Sequence, residues 1–171
     1  MTLPAQVNPL PHQDNLHLQA AEGWLGLGNR HEAELELAQI APEFSHHPEV
    51  LEVRFQVLSA AKQWTEAVQV AKTFRRLQPE EPWGHFHLAY ALHELKDTKA
   101  AYATLRPVLK RYPDNWLMRY NVACYACQLG RANEALAWLD RAITLAGRRQ
   151  VLALALDDPD LASLRDRLRK L

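Results

Sequence analysis

Glycine is scarce in this chain, six residues in 171, and the six are scattered. No glycine-rich loop is available to cradle a phosphate on backbone N–H groups. Cysteine is scarcer still: Cys124 and Cys127 are the only two, three positions apart. They cannot make a disulfide framework, and a reducing compartment suits them, so a cytoplasmic location is expected. No apolar run approaches 18 residues, which argues against a membrane-spanning helix. No basic region followed by an apolar core opens the chain, so no secretory leader is expected. Net charge is also missing, with 20 Lys and Arg against 20 Asp and Glu. A balanced chain has no general attraction to phosphate backbones, so a nucleic-acid partner is not expected.

The chemistry of an enzyme is hard to assemble from what remains. Ser45, Ser59 and Ser163 sit in no activating context for a nucleophile. The paired carboxylates Glu80-Glu81 and Asp157-Asp158 fall at helix starts, where capping accounts for them. His85 and His87 are two apart on a helix and point to different sides, which makes a poor chelate. His46 and His47 fall in a loop, where solvation is expected. The most suggestive pair is Cys124-x-x-Cys127, which shares a helix face; His93 precedes Cys127 by 34 positions. Together they could form a thiol or metal sensor. The plainer reading is that both are small apolar residues at a tight interface, since a second Cys/His pair is lacking. No cofactor and no enzymatic activity are expected.

What the chain does contain is helical hairpins. From Trp116 to Ala146, two apolar, alanine-rich segments flank a Leu129-Gly130 turn. Ala132, Ala135, Leu139 and Ala142 recur at helical spacing, and Ala123 and Ala135 allow two helices to approach closely. The pattern repeats every 34 residues. Ala135 steps back to Ala101, Ala67 and Ala33; Gly130 steps back to Lys96, Lys62 and Gly28. Leu139 steps back to Leu105, Ala71 and Leu37, while Pro113 steps back to Pro79 and Pro82 to Pro48.

On these residues the chain resembles the tetratricopeptide repeat family, whose period is 34, and a small bacterial-type member of it. The fold class expected is all-α: a right-handed α-solenoid of four helix–turn–helix repeats plus C-terminal capping helices. The boundaries read as a mobile N-terminal tail over 1–13, repeats over 14–47, 48–81, 82–115 and 116–147, and capping helices over 148–171. Asp14 is a candidate N-cap of the first helix. Pro107 falls inside the segment 98–111 and should kink it, because its ring clashes with the carbonyl of Ala103.

The resemblance implies a protein-binding module. In the family, the first helix of each pair lines a concave surface that receives a partner segment. Carried over by position, that lining includes Glu49 and Glu52 in the second repeat, and Trp83, Phe86, His87 and Tyr90 in the third. The fourth supplies Leu117, Tyr120 and Asn121. Exposed aromatic clusters mark binding sites, so the partner's apolar part belongs at Trp83, Phe86, Tyr90 and Tyr120, and any basic residues toward Glu49 and Glu52. The competing possibility is that these aromatics pack between helices or under the chain's own termini. The lysine-rich clamp that some family members use to grip a C-terminal carboxylate is absent: its places hold Leu18, Glu22, Val53, Trp83 and His87. A second reading of the same class is a chaperone similar to the small repeat-built chaperones of type III secretion. The partner expected is a protein or peptide, with no membrane involved.

Overall fold

The computed structural model describes residues 8–170. Most of the tail expected over 1–13 therefore lies outside the described residues. The described part of it is anchored: His47 Nε2 donates to the Asn8 carbonyl at 2.9 Å, and Leu10 packs against the first core. The described elements are helical, with no strand among them. The chain divides into two compact units, one up to Ala91 and one from Leu92 onward.

The first unit holds α1 (His12–Gly26), α2 (Arg30–Gln39), α3 (Pro48–Ala60), α4 (Trp64–Leu77) and the start of α5 (Pro82–Glu94). Pro48 and Pro82 open their helices at the first turn, where a missing N–H removes no helical bond. Helices α1 and α2 pack as one antiparallel pair and α3 and α4 as another, with α1 and α2 both touching α3. Leu18, Ala21, Ala33, Leu37, Ile40, Val50, Val53 and Val57 form the core between them. The small residues at the periodic positions, Ala33 and Ala67, are wholly inaccessible, so the helices close onto each other there.

Two expectations need correction in this unit. Helix α1 starts at His12, after Pro11, so Asp14 is not its N-cap. Asp14 is buried instead, and its carboxylate accepts the Ala41 backbone N–H at 2.7 Å, where α2 has just ended before Pro42. A charge-assisted bond of this kind contributes about 1.5–3 kcal/mol. His47 is the second correction. Its side chain is nearly enclosed, because the Asn8 segment folds over it.

The second unit contains the end of α5, then α6 (Thr98–Leu105), α7 (Trp116–Gln128), α8 (Ala132–Ala146), α9 (Arg148–Asp157) and α10 (Arg165–Leu168). Pro107 does interrupt the segment 98–111: the α-helix stops at Leu105 and a 3-10 turn runs over Arg106–Lys110. A second 3-10 turn, Pro159–Leu164, separates α9 from α10. Helix α7 is the centre of this unit. Met118, Tyr120, Val122, Ala123, Cys124, Tyr125, Ala126 and Cys127 are all buried, so it is enclosed on nearly every side. Helix α6, helix α8 and the Pro159–Leu164 turn supply that enclosure.

The 34-residue period is written in the backbone. Gly28, Lys62, Lys96 and Gly130 have φ of 75°, 57°, 67° and 74°. Each ends the first helix of a hairpin in the left-handed conformation. The residue after each donates its N–H five carbonyls back: Asn29 to Trp24, Gln63 to Leu58, Asp97 to Leu92, Arg131 to Ala126. That pairing is the Schellman cap, and it recurs in all four hairpins. Two of the four positions carry lysine at a place that favours glycine.

Candidate functional site

Helices α3 and α5 bring together most of the groove residues of the first unit. Trp83 and His87 are one turn apart on α5 and stack, with ring centroids 4.1 Å apart. Phe55 of α3 meets both rings edge-on, at 5.3 and 4.8 Å, and Phe74 of α4 lies 4.4 Å from Trp83. Trp83 thus packs largely between α3, α4 and α5, as the plainer alternative held. Phe86 meets the edge of His87 at 5.1 Å, and Tyr90 meets Trp64 at 5.5 Å; both stay half-buried. His87 Nδ1 lies 3.0 Å from the Trp83 carbonyl, but burial dominates and lowers its pKa to about 4. At neutral pH this imidazole is uncharged and behaves as one more aromatic ring.

Beside the aromatics lies an acidic surface. Glu49 is exposed and Glu52 half-buried. Burial raises the Glu52 pKa, and the charges of Glu49, Glu22 and Glu81 raise it further. Glu52 is thus repelled by carboxylates on α1, on α3 and just before α5, and a bound cation beside it would relieve that repulsion.

The equivalent face of α7 is arranged differently. Leu117 is 39% exposed and Asn121 half-buried, but Tyr120 is only 6% exposed. The chain's own C-terminal segment covers it. Tyr120 Oη donates to Asp158 Oδ2 at 2.7 Å, and the Cys124 thiol donates to the same oxygen at 3.5 Å. Asp158 Oδ1 accepts the Asp160 N–H at 2.8 Å and so caps the 3-10 turn. Gln128 Nε2 donates to the Asp160 carbonyl at 2.8 Å, and His93 Nε2 lies 2.8 Å from Asp160 Oδ2. The expectation of an exposed Tyr120 is thereby corrected. Its reason is a fold-back of the segment after α9, which the repeat register does not contain.

The same contacts dissolve the sensor arrangement. Cys127 Sγ is 3.2 Å from Ser163 Oγ, Cys124 is turned to Asp158, and His93 bridges Thr98 and Asp160. Burial pushes the Cys124 thiol well above its ordinary pKa, and the charges of Asp158 and Asp160 add to the effect. A thiol held protonated is a poor metal ligand. Among the described residues no three His, Cys, Asp or Glu side chains come together as an ion site. Asp158, Asp160 and Ser163 were missed as partners of α7. The acidic run from Asp157 to Asp160 signalled only capping, which Asp158 does perform.

No helix among the described residues is long and apolar enough to cross a membrane. Neither a protein-family model nor a curated protein matches the chain. Solved structures do. MamA from Desulfovibrio magneticus RS-1 is 17% identical, with a TM-score of 0.73 over 95% of this chain and 94% of that one. A thermophilic TPR protein of Thermus thermophilus, TTC0263, is 20% identical, with a TM-score of 0.69 over 94% of this chain and 84% of that one. The similarity spans nearly the whole chain, and it agrees with the periodic alanines and the four left-handed caps. The fold is therefore all-α and of the tetratricopeptide repeat solenoid type.

Proposed function

We propose that the chain is a non-enzymatic protein-binding module whose first helices receive a partner segment. The fold supports a protein–protein interaction role in general terms. The finer reading rests on one observation: α5 carries half-buried aromatic rings packed on Phe55 of α3, the helix that also carries Glu52, whose carboxylate is repelled by Glu49, Glu22 and Glu81. A partner segment with an apolar side chain and a nearby Lys or Arg matches both features. Phe86 and Tyr90 offer ring surface, with Trp83 and His87 as the rigid stack behind them. Glu49 and Glu52 take the cationic residue. Leu117 and Asn121, on the first helix α7 of the second unit, are proposed as contact residues of that unit by itself, while Tyr120 supports α7 from beneath its cover. Stiff aromatic anchors lose little rotamer freedom on binding, which suits this task.

The test is capture of the partner from native lysate, identification by mass spectrometry, and a binding curve for each variant. Phe86→Ala and a Glu49→Gln, Glu52→Gln double variant should each weaken binding about tenfold or more, with helical content unchanged. Equal binding by both variants and the unaltered protein would remove this reading of the surface.

A further inference from the structure

We propose that a cleft in the second unit is a separate docking site, for an acidic partner segment anchored by a large apolar side chain. The whole-chain charge balance conceals a division. Residues up to Ala91 carry eleven Asp and Glu against six Lys and Arg, a net of −5; residues from Leu92 carry nine against fourteen, a net of +5. Part of that excess surrounds one cavity of about 770 Å³, a size that takes one or two large side chains. Arg106 and Lys110 reach it from the 3-10 turn that Pro107 creates, Arg119 from α7 and Arg141 from α8. No carboxylate lines it. None of the four cations forms an ion pair among the described residues.

The cations are positioned. Arg119 Nη1 donates to the carbonyls of Tyr112 and Asn115 at 3.1 and 2.9 Å, which fixes the guanidinium before any ligand arrives. The Arg141 guanidinium lies 4.4 Å from the centre of the Trp138 ring. Trp138 and Leu145 supply apolar wall. The cations come from three separate elements around that wall, so one small anion would leave most of them unmatched. A segment with carboxylates on both sides of a leucine or an aromatic residue meets the rim and the wall together. A nucleic-acid strand fits less well, because Arg141 already covers a face of the one ring that could stack on a base. The cleft shares no residue with the aromatic and acidic surface of the first unit, so the two sites can be tested apart.

Fluorescence polarisation with three labelled probes decides the matter: a twelve-residue peptide of leucine and tryptophan flanked by glutamates, the same peptide with glutamine for glutamate, and an oligothymidylate. The glutamate peptide should bind. The glutamine peptide should bind at least about tenfold more weakly, and added salt should weaken the glutamate peptide. Arg141→Glu should abolish binding, and the double variant Arg106→Gln, Lys110→Gln, on an exposed turn, should weaken it about tenfold with an unchanged circular dichroism spectrum. Phe86→Ala should leave it unaltered. Equal affinity for the glutamate and glutamine peptides, indifference to both cleft variants, or tighter binding of the oligothymidylate would overturn the proposal.

Discussion

Tyr120 and Asp158 stand 38 residues apart in sequence, and Tyr120 Oη donates to Asp158 Oδ2 at 2.7 Å. The bond joins the first helix of the last hairpin to the segment that ends the chain. The Tyr120 pKa lies far above its ordinary value, through burial first and then its neighbours Cys124 and Asp158, so the hydroxyl is held as a donor. Tyr120→Phe keeps the ring and deletes that donor. It should lower stability by about 1–3 kcal/mol, because a half-buried carboxylate oxygen loses its best partner. Hydrogen exchange should speed up across 157–164 more than across α8. Uniform exchange in that variant would show that the bond does not hold the segment down.

Lys62 and Lys96 occupy left-handed backbone, at φ of 57° and 67°, where the equivalent residues are Gly28 and Gly130. Lys62→Gly and Lys96→Gly should each stabilise the protein by about 1 kcal/mol, and Gly130→Ala should destabilise it by a similar amount. Thermal or urea melts of the three variants test the register directly. An unchanged midpoint in all three would contradict it.

His87 gives the fold a dependence on acid. Its pKa falls from 6.5 unfolded to about 4 folded, so the unfolded state takes up the proton first. The neutral ring contributes stability that is complete above pH 6.5 and lost as pH falls toward 4, about 3 kcal/mol by pH 4. Glu52 works in the opposite sense. Its folded pKa is raised, so its ionisation removes stability as pH rises from 4.5 through the folded value. His87→Leu should flatten the acid limb of a urea-midpoint curve against pH. Glu52→Gln should stabilise the protein at pH 7 by about 0.5 kcal/mol after solvent screening. An acid limb equally steep in His87→Leu would assign it elsewhere.

Gly84 is buried at the start of α5, and a Cβ there would lie 2.8 Å from the Arg75 backbone of α4. Neither backbone can move away without disturbing the Trp83–Phe74 contact beside it. Gly84→Ala should therefore destabilise the fold by about 1–3 kcal/mol. A denaturation midpoint equal to that of the unaltered protein would show that α4 and α5 can separate freely.

The repeat was legible because packing imposes it. Ala33, Ala67, Ala101 and Ala135 mark the points where paired helices touch, and each is fully buried. The left-handed caps were half legible: glycine announces two of them, and lysine hides the other two. The position of Asp14 was not legible, since a carboxylate near a helix start reads as a cap whether or not it reaches a backbone N–H elsewhere. The cover over Tyr120 was hidden for a related reason. It depends on a long-range return of the chain, whereas periodicity reports only how each repeat meets the next. The opposed charges of the two halves were present in the sequence, but counting the whole chain averaged them away.

In the function proposed above, partner binding runs through the first-helix surface around Phe86. The most direct measurement is the dissociation constant of the captured partner for four proteins: unaltered, Phe86→Ala, Glu49→Gln with Glu52→Gln, and Lys72→Ala with Arg76→Ala. Lys72 and Arg76 lie exposed on the second helix α4 and are not among the proposed contact residues. Weakening of about tenfold or more is expected for the two middle proteins and an unchanged value for the last. Undiminished affinity in Phe86→Ala together with a loss in the Lys72→Ala, Arg76→Ala variant would contradict it.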